Sequence, residues 1–143
     1  MIAVQDLCIG NWVYDGERTQ FPMQVVGIGS DYVYLDFEGN ESDLWESKPE
    51  DLMGIPLSEE LLDKIGVIHY TSFLMFLLQE TPSQRLYVEF LYKDNEDRSV
   101  RVLCHDKNKN LTESRATSYS VHYLHELQNL FWNITKQQLN IKL

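Results

Sequence analysis

The sequence predicts an α+β fold in which an N-terminal SH3-like β-barrel is joined by a short linker helix to an antiparallel β-meander packed by a C-terminal helix. Three observations lead to this prediction: short apolar runs with glycine-bearing turns before residue 56, three longer strand-like segments between residues 67 and 106, and one amphipathic segment at the end. Short alternating runs favour strands, and an apolar stripe at helical spacing favours a helix. We expect two domains, an SH3-like barrel over residues 1–56 and an α+β lobe over residues 57–143.

Short strands and turns characterise the first domain. Apolar residues cluster in 7–13, 23–28 and 32–37, and the segments between them contain Gly10, Gly16, Gly29 and Gly39. In residues 32–37 the alternation assigns Val33, Leu35 and Phe37 to one face of a strand and Tyr32, Tyr34 and Asp36 to the other. Such a pattern is typical of a compact antiparallel barrel.

The linker is predicted from helix-capping signals. Residues 48–52 favour a single helical turn, and Ser58 is a suitable N-cap for a short helix that follows. Glu59 and Glu60 would lie at the positive end of that helix, and Gly66 would end it.

Three strands are predicted in the second domain, over residues 67–80, 85–93 and 99–105, with turns at 81–84 and 94–97. In the central strand, Leu86, Val88, Phe90 and Tyr92 share one face. Residues 106–118 are polar and are expected to form a loop.

The closing segment, residues 120–135, predicts a helix that covers the meander. Its apolar residues recur at intervals of three and four and form one stripe, which comprises Val121, Leu124, Leu127, Phe131 and Ile134. Ser118 or Ser120 would cap the helix.

Charge is distributed unevenly along the chain. The net charge is −10; residues 1–60 contain 13 acidic and 2 basic residues, whereas residues 61–143 contain 9 and 10. Seven acidic residues lie between Asp36 and Asp51, against Lys48 alone. Such a surface repels phosphate backbones and disfavours direct binding of nucleic acid through a basic groove. It is interpreted either as a solvated surface or as a surface that docks a basic protein or imitates the charge of DNA.

Glu38, Asp43, Trp45 and Glu46 are the candidate partner-binding residues. An exposed tryptophan between carboxylates would anchor a protein partner. The alternative for Trp45 is that it folds back and plugs the end of the barrel.

No motif in the sequence indicates a particular chemistry. A nucleophile elbow, a phosphate loop, zinc-ligand spacing and a dinucleotide fingerprint are all lacking, so no catalytic, cofactor-binding or metal-binding residue is assigned. His122, His125 and Glu126 form the only cluster that invites a metal or acid/base interpretation, but their order is not that of a zincin helix. A surface pair of His122 and Glu126, with His125 partly buried, is the alternative.

We expect a cytoplasmic protein with no membrane association. The longest apolar stretch, residues 72–78, is too short to cross a bilayer, and the N-terminus lacks the pattern of a secretory signal. Cys8 and Cys104 are therefore expected to be reduced and buried. A protein partner is expected, and a homo-oligomer remains possible.

Three segments together resemble a family of small uncharacterised proteins from Bacteroidetes genomes, their phages and mobile elements. They are Asp6-Leu-Cys-Ile-Gly-Asn-Trp-Val13, residues 54–66 with Ile-Pro-Leu-Ser-Glu-Glu, and residues 121–135 with Leu139. The family shows an LRIGNWV-like start, a PIPLTEE-like linker helix and a VHQLQNLYFALTGEEL-like closing helix. Lys136 stands where the family usually has glycine, so the helix must either accept a left-handed lysine or end differently.

The resemblance implies a bacterial or phage cytoplasmic setting and no known enzyme activity. The function expected on these grounds is that of a non-enzymatic protein-interaction protein of phage or mobile-element origin. Two alternatives stay open: an acidic DNA-mimicking inhibitor of a host nucleic-acid-binding protein, and a metal-dependent enzyme that uses His122, His125 and Glu126.

Overall fold

The structure is a computed structural model that describes residues 2–16, 21–40, 43–65, 67–69, 75–92, 98–107, 117–141 and 143. The chain is α+β, with two five-stranded antiparallel sheets, and forms two compact units. The first unit comprises Met1–Pro56 and Tyr123–Leu139, and the second comprises Leu57–His122 and Asn140–Leu143. The predicted turn at residues 94–97 and the predicted stop at Gly66 lie outside the described residues.

The first sheet contains β1 (Trp12–Asp15), β2 (Met23–Ile28), β3 (Val33–Asp36), β4 (Trp45–Ser47) and β5 (Leu52–Gly54). Their order is β4-β3-β2-β1-β5, and every pair of neighbours is antiparallel. The predicted strands correspond to β1, β2 and β3, whereas β4 and β5 have only three residues each and give little periodic signal. Among the described residues β4 and β5 occupy opposite edges, so no closed barrel is found.

Alternation of side chains builds the core of the first unit. Val33 and Leu35 are fully buried, while Tyr34 between them is half-buried and Asp36 is exposed, as the pattern predicted. Phe37 packs against the same core. The cluster is completed by residues from every part of the N-terminal segment: Ile2, Leu7, Val13, Met23, Val25 and Leu52. A 3-10 turn at Pro49–Asp51 leads into β5, at the position predicted for a helical turn.

The second unit begins with helix α1 (Glu59–Lys64), and its predicted cap is confirmed. The Ser58 hydroxyl accepts the backbone N–H of Leu61 at 3.1 Å. Five strands follow: β6 (Ile68–His69), β7 (Met75–Glu80), β8 (Gln84–Tyr92), β9 (Arg98–Asp106) and β10 (Thr117–Val121). They pair in sequence order as an antiparallel meander. On β8, Leu86, Val88 and Phe90 are buried as predicted.

Two expectations about residues 106–135 differ from the structure. β10 begins at Thr117 and takes in the last two residues of the stretch assigned to a loop, of which 108–116 lie outside the described residues; Ser118 and Ser120 therefore lie in a strand and not at the start of a helix. The closing helix α2 spans Leu124–Thr135, with Tyr123 as N-cap and no side-chain cap bond. None of the described helices is long and apolar enough to span a membrane.

Helix α2 belongs to the first unit, whereas the sequence analysis expected it to cover the meander. The Ile55 carbonyl accepts the N–H of Leu124 at 2.9 Å, and Pro56 forms an antiparallel bridge with Tyr123. Leu124, Leu127 and Phe131 are buried, as their spacing predicted. An apolar stripe indicates that one face of a helix is buried, but it does not identify the surface on which that face packs.

Candidate partner-binding surface

The candidate carboxylates Glu38, Asp43 and Glu46 share one hairpin. We define the acidic hairpin as residues 36–47, which run from the end of β3 through β4 at one edge of the first sheet. Residues 41–42 lie outside the described residues. All three side chains are exposed. Glu46 pairs across the sheet with Tyr34, on the face opposite the core. The fold thus brings together residues that the sequence had marked only by composition.

Trp45 occupies a different environment from these carboxylates. It pairs with the fully buried Leu35, packs against the core and donates its indole N–H to Asp15 Oδ2 at 2.7 Å. Asp15 itself is buried, so this hydrogen bond satisfies a carboxylate inside the unit. The geometry agrees with the alternative in which Trp45 folds inward, and its ring contributes to the core of the unit.

Leu44 is the exposed apolar residue of the acidic hairpin. It lies between Asp43 and Trp45 and is 58% exposed. Phe21 and Tyr32 are further exposed apolar residues in the first unit. The sequence pointed to Trp45 because it lies between carboxylates. The strand alternation that turns it inward was not recognised, since β4 is only three residues long.

Charge on the first unit is unbalanced. The unit contains twelve acidic and three basic residues, which give a formal net charge of −9. The ion pairs found among the described residues, which involve Glu80 and Glu89, lie outside this unit. Exposed carboxylates that lack a cationic neighbour retain their long-range field and attract basic partners.

A set of amide hydrogen bonds fixes α2 to the N-terminal segment. Gln128 accepts the N–H of Trp12 at 2.8 Å and donates to the Gly10 carbonyl at 2.9 Å. Asn129 accepts from the side chain of Asn11 at 2.8 Å and donates to the Asp6 carbonyl at 2.8 Å. The Asn11 side chain also accepts the N–H of Cys8. We call this set the amide lock.

The amide lock gives several motif residues a physical role. Gly10, with φ of 97°, takes a conformation that favours glycine, and Asn11 is 3% exposed. Both lie in the opening motif, while Gln128 and Asn129 lie in the closing motif. Sequence reasoning treated these motifs as packing residues and missed the hydrogen bonds. The available signal was Asn11 in the opening motif and the adjacent Gln128 and Asn129 in the closing motif.

The histidine cluster is not arranged as one site. His122 precedes α2 and is exposed, whereas His125 is buried and stacks on Tyr123 with ring centroids 5.8 Å apart. His125 Nδ1 is buried without a hydrogen-bond partner among the described residues. Burial lowers the pKa of His125, and the Asp6 carboxylate opposes that effect. In the described part of the chain, no three His, Cys, Asp or Glu side chains are grouped to hold a metal ion.

Both cysteines are free thiols. Cys8 is exposed, contrary to the expectation of burial, because the 3-10 turn at Val4–Asp6 and the following bend place it outside the core. Cys104 on β9 is half-buried, and burial together with the Asp106 carboxylate raises its pKa. A raised pKa leaves little thiolate at neutral pH, so Cys104 is a poor nucleophile.

Comparisons with protein families, with curated proteins and with solved structures find no match to this chain. Its function is therefore argued from its own residues.

Proposed function

We propose that this protein is a non-enzymatic interaction protein that docks a basic partner protein on the acidic hairpin of its first unit. The observation that carries the proposal is the exposure of Glu38, Asp43 and Glu46, none of which has an ion pair among the described residues, in a unit with a formal charge of −9. Exposed Leu44 supplies an apolar contact within the same hairpin. A charged rim around an apolar contact is the usual composition of a protein interface.

We further propose that the first unit is an SH3-like small barrel. Two features support this: the strand order β4-β3-β2-β1-β5, in which the last strand pairs with the first, and the 3-10 turn between β4 and β5. Small barrels of this kind serve many unrelated functions, so the fold alone does not identify a partner. The resemblance to Bacteroidetes and phage proteins supports a cytoplasmic, mobile-element setting.

Charge reversal tests the proposal. Full-length tagged protein is used to capture partners from a Bacteroidetes lysate at low and high salt, with and without nuclease, beside the triple variant Glu38→Lys, Asp43→Lys and Glu46→Lys. We expect the triple variant to capture at least about tenfold less partner than wild type. High salt should also weaken capture by wild type, because salt screens exposed charges.

A matched control separates location from net charge. Asp31, Glu50 and Asp51 are also exposed carboxylates of the first unit, and their conversion to lysine changes the net charge equally. We expect this control to retain most of the capture. If the hairpin variant captured as much partner as wild type, the docking surface would be refuted. The carboxylates would then serve only to keep the surface solvated.

The DNA-mimic alternative differs from the general proposal in one measurable respect. A partner whose DNA-binding site is occupied by the acidic hairpin is displaced by added double-stranded DNA, whereas a partner held elsewhere is not. Competition with a DNA duplex during capture therefore distinguishes the two. The enzyme alternative has less support, because His122 and His125 occupy different environments; metal analysis of the purified protein tests it directly.

A further inference from the structure

The edges of the two sheets differ in how they are protected from pairing with another strand. Soluble proteins block such edges with charge, proline, short length or a covering segment. β4 has three residues and exposes Glu46. β5 has three residues as well, and directly after it Pro56 forms an antiparallel bridge with Tyr123. β6 has only two residues.

Among the described residues, β10 shows none of these protections. Its five residues, Thr117–Val121, contain neither a charged residue nor a proline. It ends the sheet order β10-β9-β8-β7-β6, so no described strand pairs with its outer side. It is therefore the longest edge strand in the described part of the chain, and the one whose backbone groups are most available to a further strand.

An apolar row of side chains runs across the second sheet and ends at this edge. Cross-strand register joins Phe76 to Val88, Val88 to Val102, and Val102 to Tyr119. The relative exposures along the row are 1%, 0%, 2% and 40%. The row is thus fully buried until its last member, where the sheet ends and the tyrosine is left partly open.

We propose that β10 pairs antiparallel with β10 of a second copy of this chain. Tyr119 is the central residue of the strand, so a two-fold axis at Tyr119 pairs all five residues: Thr117 with Val121, Ser118 with Ser120, and Tyr119 with its own copy. The interface is isologous, as two-fold symmetry requires. The two tyrosine rings meet, and the apolar row continues from one copy into the next.

Charge at this edge does not oppose a second copy. The second unit contains ten acidic and nine basic residues, a formal net charge of −1, whereas the first unit carries −9. Identical strands with no charge pair without repulsion, and the strand belongs to the unit whose charge is nearly balanced. This inference is independent of the acidic hairpin, which lies in the other unit.

Charge exchange at Tyr119 tests the dimer. The full chain is measured by sedimentation velocity over a wide concentration range, beside Tyr119→Lys, Tyr119→Glu and an equimolar mixture of the two. We expect wild type to convert from monomer to dimer, and each variant to dimerise on the order of tenfold or more weakly, because like charges then lie opposite each other across the axis. The mixture is expected to regain association, since Lys then faces Glu.

The matched control is the same pair of substitutions at Tyr32, which is equally exposed at 40% but lies in the first unit before β3. These variants are expected to associate as wild type does. Recovery in the Tyr119 mixture also excludes misfolding as the cause of the loss, because misfolded chains would not regain pairing. Any of three results would overturn the proposal. The wild-type chain could stay monomeric at every concentration, the Tyr119 variants could associate like wild type, or the mixture could fail to regain association. A monomeric chain would leave the β10 edge to a strand of another protein.

Discussion

The two units of the chain differ in how they treat charge and in how they are stabilised. In the second unit, Glu89 pairs with Arg101 at 2.7 Å on the neighbouring strand, and Glu80 pairs with Arg85 and Lys107. In the first unit, α2 is held to the N-terminal segment by neutral amides and the buried Asp15 carboxylate accepts from the Trp45 indole, whereas the exposed carboxylates of the acidic hairpin have no ion pair among the described residues. The carboxylates of the acidic hairpin are therefore separate from the contacts that stabilise the first unit, which is what the proposed docking surface requires.

The sequence separation of these contacts differs as well. The meander pairs neighbouring strands in order, so its ladder contacts join segments that are close in sequence. The amide lock instead joins residues 118 positions apart, Asn11 and Asn129. The first unit is therefore assembled from the two ends of the chain, and its stability depends on α2.

Removal of the amide lock should produce the largest effect on stability. A small effect would mean that the stability of the first unit does not depend on these contacts with α2. The double variant Gln128→Ala and Asn129→Ala deprives Trp12 N–H and the buried Asn11 side chain of their partners. Buried polar groups left unsatisfied cost about 1–3 kcal/mol each, so we expect a loss of about 2–5 kcal/mol in the free energy of unfolding. Chemical denaturation measures it.

Hydrogen exchange locates that loss. Backbone amides of β1 and β2 are expected to lose protection, while those of β8 and β9 keep more of theirs. Asn133→Ala, which removes an exposed amide from the same helix, serves as the control and should change stability little. If amides of β8 and β9 lost the most protection, α2 would stabilise the meander, as the sequence pattern first suggested.

Features that depend on the local sequence pattern could be predicted. Alternation identified the buried faces of β3 and β8, and capping chemistry identified α1 and the turn before β5. The sequence pattern missed β4 and β5, which are too short for a periodic signal. It also missed β10, whose residues were divided between the predicted loop and the predicted closing helix. The partner of α2 could not be predicted, since an apolar stripe packs on any apolar surface and only Gln128 and Asn129 select the N-terminal segment.

The candidate surface could likewise be predicted only in part. Composition identified Glu38, Asp43 and Glu46 as acidic residues, and the fold exposes all three in one hairpin. The inward orientation of Trp45 depends on the register between β3 and β4, because Leu35 opposite it is a core residue. Register is a tertiary property, so Leu44 could not be recognised as the exposed apolar residue from the sequence.

His125 gives the first unit a pH dependence of intermediate size. Its imidazole is 4% exposed, lies in the first turn of α2 and has its pKa lowered by burial from the usual value of 6.5. The unfolded chain therefore binds a proton at a higher pH than the folded chain does. The stabilisation is complete above about pH 6.5 and is lost as the pH falls toward the folded pKa, at up to about 1.4 kcal/mol per pH unit.

Denaturation at a series of pH values from about 8 to about 5 measures this slope above the range in which most carboxylates titrate. His125→Phe retains an aromatic ring against Tyr123 and removes the titrating group, so we expect a flatter profile. A slope unchanged by His125→Phe would contradict the role assigned to the buried ring.

The end of α2 should show the smallest effect, and it has the opposite sign. Lys136 caps the helix in the left-handed region, with φ of 57° and ψ of 27°, and donates its N–H to the Trp132 carbonyl at 2.8 Å. Of the two possibilities that the missing glycine left open, the helix accepts a left-handed lysine. That conformation costs a residue with a Cβ about 1 kcal/mol relative to glycine. Lys136→Gly should therefore stabilise the first unit by about 0.5–1 kcal/mol.

Two effects of that substitution must be separated, because Lys136 is one of only three basic residues in the first unit. A cation near the C-terminal end of a helix is itself favourable by about 0.3–1 kcal/mol, an effect that salt screens. Lys136→Ala removes the charge and keeps the strain, so it should be less stable than wild type at low salt and closer to it at high salt. If Lys136→Gly were no more stable than Lys136→Ala at high salt, the left-handed backbone would carry no cost, and the stability of the helix end would depend on charge alone.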